Sequence, residues 1–177
     1  MTQGKKTIVT ESQVWGDKST YTTFFDTNDY VPQWGFIKLN LPKEISFLED
    51  PSATVEIFSV DAAGIETPGV FVFEDWDSSS FKMKADAKIE PGSFKLIFSN
   101  TRNPRILADT DVFVMETFDS NMILIAKGSL DNVRMAETAK FENLTIARSE
   151  SSNGMTSDYQ VGFTSEIPVE NGDIFYL

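Results

Sequence analysis

The chain has 177 residues, enough for a full hydrophobic core, and its apolar and charged fractions of 41% and 24% are typical of a globular rather than a disordered protein. Its 27 acidic and 15 basic residues give a net charge of −12, which disfavours binding to nucleic acid and electrostatic docking to anionic membranes. The sequence contains neither Cys nor His, which excludes disulfides, thiolate and imidazole metal sites, and Ser-His-Asp or Cys-based catalysis.

Nine short stretches rich in Val, Ile, Thr and Phe mostly alternate apolar and polar residues, a pattern that predicts β-strands. In chain order they read KTIVTES, STYTTFF, GFIKLNL, ATVEIFSV, GVFVFE, SFKMKA, SFKLIFS, DVFVMETF and MILIAKG. Turn residues such as Pro91–Gly92 and Asn103–Pro104 separate them. Many short strands at near-regular spacing predict an all-β protein, with an antiparallel immunoglobulin-like or jelly-roll-like β-sandwich.

One stretch differs from this pattern. DNVRMAETAKF, residues 131–141, consists of good helix formers, and we expect either a short helix or a strand followed by a linker there.

The same alternation predicts which side chains fill the layer between the sheets. These are Tyr21, Phe25, Ile37, Val55, Ile57, Phe94, Leu96, Phe98, Phe113 and Met115.

The end of the chain repeats features of its beginning. When Tyr159 is aligned with Tyr21, an offset of 138 residues, four further identities and the apolar alternation also match. They are Thr145 with Thr7, Ile146 with Ile8, Gly154 with Gly16, and Phe163 with Phe25. After a one-residue deletion in the following turn, Gly172 meets Gly35 and Ile174 meets Ile37. Any two strand-turn-strand stretches share some features, but matches in one order favour a repeat: residues 1–138 as a complete unit and 139–177 as the opening strands of a second.

Such a partial unit of about 35 residues cannot bury its own apolar face. Val161, Phe163, Ile174 and Tyr176 alternate as one buried face of a strand pair would. The segment could fold back and add strands to the first unit, or it could pair with a neighbouring chain. We expect the first, because a linker of about ten residues is long enough for the return.

Two longer runs carry a family resemblance. YTTFFDTNDYVPQWGFIKLNLPKEI and, later, IEPGSFKLIFSNTRNPRILADTDVFVMETFDSNMILI combine a Tyr-led strand, a polar turn with Pro, and an Asn-Pro segment before a hairpin that contains Asp119. This pattern resembles the tandem β-sandwich repeats of very large extracellular or surface proteins of ciliate protists. The resemblance covers most of residues 5–130 and the restart at 142, and it implies a structural or adhesive role without catalytic residues. The chain departs from the family in having no Cys.

Two acidic loops are candidates for calcium, which prefers carboxylate and amide oxygens. The first, DTNDYVP, is similar to the calcium-binding linker of cadherins, and the second is FEDWDSSS. Their candidate ligands are Asp26, Asn28, Asp29, Glu74, Asp75 and Asp77. The second repeat replaces the first loop with TSEIPVE, which has one acid before its Pro, so we interpret both loops as polar turns and expect no cofactor and no tightly held ion.

Trp15, Trp34 and Trp76 all lie in or beside predicted turns. Exposed aromatic rings serve as stacking platforms for glycans, whereas rings that cap the end of the core would have only a packing role. Asn occupies the places of both Trp15 and Trp34 in the second repeat, which indicates that one of these two rings is exposed.

The sequence therefore favours a non-enzymatic structural or adhesion module of an extracellular or cell-surface tandem-repeat protein. Its expected partners are neighbouring repeat units or other copies of the chain, with no nucleic acid and no membrane insertion. The alternative is a carbohydrate-binding module, and an intracellular scaffold comes third. Paired carboxylates could hydrolyse glycosides, but the sequence does not single out a pair. The start, MTQGKKTIVTE, has no signal-peptide pattern, and Asn143-Leu144-Thr145 is a glycosylation sequon that matters only in a secreted chain.

Overall fold

The structure, a computed structural model, describes residues 7–47, 54–169, 171, 173 and 174, and this part of the chain contains strands but no helix. The strands are β1 (Thr7–Thr10), β2 (Lys18–Thr27), β3 (Phe36–Asn40), β4 (Ser46–Phe47), β5 (Val55–Val60), β6 (Glu66–Pro68), β7 (Phe71–Asp77), β8 (Ser80–Ala85), β9 (Gly92–Arg102), β10 (Val114–Phe118), β11 (Leu124–Ser129), β12 (Phe141–Arg148) and β13 (Tyr159–Ser165). They belong to two compact units, Met1–Glu137 and Thr138–Leu177.

The first unit is a sandwich of two antiparallel sheets. One sheet has the strand order β1-β2-β9-β5-β6, with β4 also paired to β9, and the other has the order β11-β10-β3-β8-β7. Phe81 of one sheet and Phe98 of the other meet with ring centroids 5.2 Å apart, so the apolar faces of the two sheets form one core. The predicted all-β antiparallel sandwich is confirmed.

The alternation of apolar and polar residues predicted the core correctly. Nine of the ten predicted core residues are buried, and Val55 is half-buried at the edge of the same cluster. Phe98 lies at the centre, since its ring also contacts Tyr21 and Phe113 at centroid distances of 5.4 and 6.4 Å. Truncation of such a fully buried side chain leaves a cavity in the packed core, so we expect it to be strongly destabilising.

The prediction of a short helix over residues 131–141 is wrong. Val133 and Met135 are both buried, a spacing of two that suits an extended chain and not a helix. The Thr110 backbone N–H donates to the Val133 carbonyl at 3.0 Å, and the backbone N–H groups of Ala136 and Glu137 donate to the Gln13 carbonyl. Tertiary hydrogen bonds and core contacts thus override the helix propensity of the segment. None of the residues that the structure describes forms a helix able to cross a membrane.

The strands β4 and β6 were not predicted. The three residues of β6 are all exposed, and β4 has only two residues, so neither shows an alternating pattern. Both owe their conformation to pairing, β4 with β9 and β6 with β5.

In the second unit, β12 and β13 form a two-stranded sheet of their own. The expectation that this segment folds back onto the first unit stays a prediction. Of the residues expected to share a buried face, Val161 is half-buried, whereas Phe163 and Ile174 are exposed. Tyr176 and the predicted match at Gly172 lie outside the described residues.

Candidate functional site

The hairpins β1–β2 and β12–β13 have the same register. Ile8 lies opposite Thr23 in the first hairpin, and Ile146 lies opposite Val161 in the second, each 138 positions later. All four residue pairs between β1 and β2 recur at this offset. The corresponding pairs of the second hairpin are Thr145 with Gly162, Ile146 with Val161, Ala147 with Gln160, and Arg148 with Tyr159.

The loops that join the two strands of each hairpin also share their backbone hydrogen bonds. In the first loop the backbone N–H of Glu11 donates to the Thr20 carbonyl at 2.9 Å. In the second loop, 138 positions later, the backbone N–H of Ser149 donates to the Asp158 carbonyl at 3.0 Å. The bond from Asp17 N–H to the Val14 carbonyl recurs from Met155 to Ser152.

A side-chain bond and a glycine conformation complete the match between these loops. Ser19 Oγ accepts a hydrogen bond from the backbone N–H of Ser12 at 2.9 Å, and Ser157 Oγ accepts one from the backbone N–H of Glu150 at 3.1 Å. Gly16 and Gly154 both adopt left-handed backbone conformations, with φ of 68° and 78°, which only glycine enters without a steric cost. The two hairpins are thus alike in register, in loop hydrogen bonds and in backbone handedness.

The first hairpin is tied to β9 and the loop after it by a buried polar network. The Tyr21 hydroxyl donates to Asn103 Oδ1 at 2.7 Å, and Asn103 Nδ2 donates to the carbonyls of Ser12 and Val14 at 3.0 and 2.9 Å. Thr10 Oγ1 and Ser19 Oγ lie 2.7 Å apart beside it. Burial raises the pKa of the Tyr21 hydroxyl well above its usual value, because the tyrosinate would lose its solvation.

The side chains of the second hairpin are much more exposed than their equivalents in the first. Tyr21 is 0% exposed, but its equivalent Tyr159 is 64% exposed, and the equivalents Ile8 and Ile146 are 9% and 67% exposed. Every residue of β12 is exposed, including three large apolar side chains. Phe141 and Phe163 contact each other with ring centroids 4.9 Å apart. The apolar face that the first hairpin buries is therefore largely open in the second.

The first group of calcium candidates lies around one small cavity. Asp26, Asn28 and Asp29 line a volume of about 120 Å³ next to Lys127. Asp26 Oδ1 already accepts a hydrogen bond from Ser93 Oγ at 2.6 Å. Within the described residues, no group of three carboxylates is arranged so that it could hold a metal ion.

The second acidic loop is held by its own hydrogen bonds. Asp77 Oδ1 accepts from the backbone N–H of Ser79 at 2.7 Å and from its hydroxyl at 2.8 Å, and these bonds lower the pKa of the Asp77 carboxyl. Asp75 Oδ1 accepts from the backbone N–H of Trp76, and Glu74 pairs with Lys82 Nζ at 3.3 Å. Each carboxylate is thus used within a turn or a strand pair.

The three tryptophans are not equivalent. Trp15 and Trp76 are half-buried against the core, and the Trp76 ring meets Phe47 edge-on at 5.2 Å. Trp34 is 48% exposed and has a φ of 66°, a left-handed conformation that is costly for an aromatic residue. The second repeat has Asn171 at the equivalent position, a residue better suited to that conformation.

Trp34 belongs to a surface that the sequence did not reveal. Lys84 Nζ lies 5.2 Å from the Trp34 ring centroid, and Lys88 Nζ lies 4.8 Å from the ring of exposed Tyr30. We call these four residues the aromatic–lysine surface. Its two loops are clamped together, since Val31 and Ile89 exchange backbone hydrogen bonds of 3.0 and 2.8 Å. Only Trp34 was singled out from the sequence, because pairing between loops more than 50 residues apart leaves no local signal.

A groove of about 450 Å³ adjoins this surface. Lys88 lines both, and the groove continues along Ile65, Pro68 and Val70. Its volume is in the range of small-ligand pockets, and an exposed ring beside a groove is a geometry that suits an extended ligand.

No protein-family model matches the chain, and no curated protein matches it. Several solved structures are similar to it, among them the following three. A DUF4466 family protein from Parabacteroides merdae ATCC 43184 is 9% identical, with a TM-score of 0.47 and coverage of 92% of this chain and 56% of that one. A Nocardia farcinica protein with an immunoglobulin-like fold is 16% identical, with a TM-score of 0.41 and coverage of 75% and 98%. BslA, a bacterial hydrophobin, is 16% identical, with a TM-score of 0.40 and coverage of 72% and 93%. The chain thus spans just over half the length of the Parabacteroides protein.

Proposed function

We propose that the protein is a non-enzymatic structural or adhesion module of an extracellular or cell-surface tandem-repeat protein. The observation that carries the proposal is the hairpin β12–β13, which repeats the register and loop hydrogen bonds of β1–β2 at an offset of 138 residues. A second opening hairpin after a complete sandwich is the local arrangement expected where units follow one another in an array. The resemblance to ciliate surface repeats supports the same proposal.

The exposed apolar residues of the second hairpin favour contact with neighbouring units or other copies of the chain. A large contiguous patch of exposed apolar surface is typical of a protein–protein interaction site. Ile146, Leu144 and Tyr159 are each more than half exposed, and no described cluster of carboxylates offers a metal site nearby.

Bead clustering tests this function. Beads coated with the chain should cluster at physiological salt, where the repulsion between acidic surfaces is screened. The double variant Ile146→Ser/Tyr159→Ser should abolish clustering. The matched control is Ile65→Ser/Val70→Ser, which removes two exposed apolar residues from the first unit and should leave clustering unchanged. Wild-type beads that stay dispersed, or equal losses in both variants, would contradict the proposal.

A carbohydrate-binding role is the second candidate, and the aromatic–lysine surface favours it. A lysine lies over each of its two rings, and each ring is about half exposed, so ring surface remains for stacking on a sugar. The two lysines would select glycans that carry carboxylate or sulfate groups. The unfavourable backbone conformation at Trp34 is consistent with a ring retained for binding.

A glycan array distinguishes this candidate. Trp34→Ala and Tyr30→Ala should each abolish binding to acidic glycans, and Lys84→Gln should weaken it. Trp15→Phe, which keeps an aromatic ring against the core, is the control that should bind normally. An absence of binding by the wild-type chain would remove this candidate and leave the first untouched.

A further inference from the structure

In the first unit, β9 lies along the edge of β2 that β1 leaves free. The two strands are antiparallel, with Tyr21 opposite Phe98, Thr23 opposite Leu96 and Phe25 opposite Phe94. Two of these pairs are stacked rings, with centroids 5.4 Å apart for Tyr21 and Phe98 and 5.6 Å apart for Phe25 and Phe94. The hairpin β1–β2 is therefore buried because β9 extends its sheet and brings the rest of the core with it.

In the second unit, β13 pairs with β12 alone among the strands that the structure describes. Because the register of the two hairpins is the same, the residues of β13 that correspond to the three inward residues of β2 are Tyr159, Val161 and Phe163. An edge strand with alternating apolar residues is a template for pairing with another strand.

We propose that β13 accepts a partner strand of the β9 type. The strand would run antiparallel to β13 and would place aromatic or aliphatic residues at alternate positions opposite Tyr159 and Val161. The first unit supplies both the pattern and the register of this partner. The inference rests on the geometry of the two hairpins and holds whether or not the protein is adhesive.

Charge also fits a strand of this type. The only charged residues of β9 are Lys95 and Arg102, whereas residues 138–177 contain six acidic and two basic residues. A cationic strand approaching an acidic edge is favoured by long-range electrostatics, while an acidic strand would be repelled.

Disulfide trapping at defined register tests the proposal. Because the chain contains no Cys, Val161→Cys carries a single thiol. The probe is a peptide of the β9 sequence, GSFKLIFSNTR, with Cys at the Leu96 position, mixed with the full-length variant in a glutathione redox buffer. Thr23, the equivalent of Val161, lies opposite Leu96, so the two thiols should face each other.

The control peptide carries its Cys at the Ile97 position, which points to the opposite face. Thiols on opposite faces cannot bridge without backbone movement, so we expect the Leu96-position peptide to give about tenfold more mixed disulfide. An excess of the unsubstituted peptide should suppress this yield.

Equal yields from the two peptides, or no yield from either, would overturn the proposal. Disulfide-linked dimers of Val161→Cys that persist in excess peptide would also overturn it, because they would show that a second copy covers this edge.

Discussion

The two hairpins have one backbone plan and opposite surroundings. Tyr21 and Tyr159 occupy the same place in register, yet the first is 0% exposed and the second 64%. The first hydroxyl donates to Asn103, a residue that lies 82 positions away in the chain. The register and loop conformation are thus properties of the hairpin sequence, whereas burial is supplied by distant strands. Three predictions test this separation, and a fourth concerns the acidic loops.

Truncation should give the largest difference. Tyr21→Ala removes a ring that stacks on Phe98 at 5.4 Å, so we expect it to lower the free energy of unfolding by about 3–5 kcal/mol. Tyr159→Ala changes an exposed ring and should cost no more than about 0.5 kcal/mol. Urea unfolding of both variants measures the contrast. Equal losses would mean that the second hairpin is buried in solution.

Removal of the Asn103 amide should have the next largest effect. Asn103→Ala leaves the Tyr21 hydroxyl and the carbonyls of Ser12 and Val14 without their bonds, which should cost about 2–3 kcal/mol. Asn153→Ala is the control, since Asn153 is exposed and its backbone is not in the left-handed region. A loss below about 0.5 kcal/mol for Asn103→Ala would show that the network contributes little.

Alkaline pH should destabilise the fold through Tyr21. Its pKa is raised in the folded state, so above about pH 10 the unfolded chain loses this proton while the folded chain keeps it. Stability should therefore fall as pH rises, by up to about 1.4 kcal/mol per pH unit from this group. Tyr21→Phe should remove that part of the slope, and Tyr159→Phe should not. Parallel slopes for wild type and Tyr21→Phe between pH 10 and 11 would contradict the assignment.

Calcium should have the smallest effect. Asp26 is bonded to Ser93, and Asp77 is bonded within its own turn, so neither acidic loop presents free carboxylates in a cluster. Thermal melts in calcium and in chelator should agree within about 1 °C. A shift of several degrees that Asp29→Asn abolishes would show a real site beside Asp26 and Asn28.

The sequence was sufficient for features that depend on local alternation. The strands of the first unit other than β4 and β6, and nine of the ten core residues, follow from a period of two, because side chains of a strand point alternately to the two faces of its sheet. The exposure of either Trp15 or Trp34 was indicated by the second repeat, where neither ring is kept, and Trp34 is the exposed one.

Features that depend on contacts between distant segments could not be predicted. The extended course of residues 131–137 is set by hydrogen bonds to Gln13 and Thr110. Helix propensity is a local property of the sequence and takes no account of such distant contacts. Asn103 looked like an ordinary turn residue beside Pro104, and only its side-chain bonds to Tyr21, Ser12 and Val14 show that it joins the first hairpin to the end of β9. The pairing of Lys88 with Tyr30 likewise needs two loops to meet.

The place of β9 in the sheet has a consequence for synthesis on the ribosome. β2 ends at Thr27 and its partner β9 begins at Gly92. At roughly 5–20 residues per second, about 65–75 residues of translation take roughly 3–15 seconds. During that interval the nascent first hairpin has no β9 to cover it and presents Tyr21 and Phe25 to water, as the second hairpin presents Tyr159. The amino-terminal hairpin is therefore most open to chaperones and to misplaced strands in the seconds before β9 emerges.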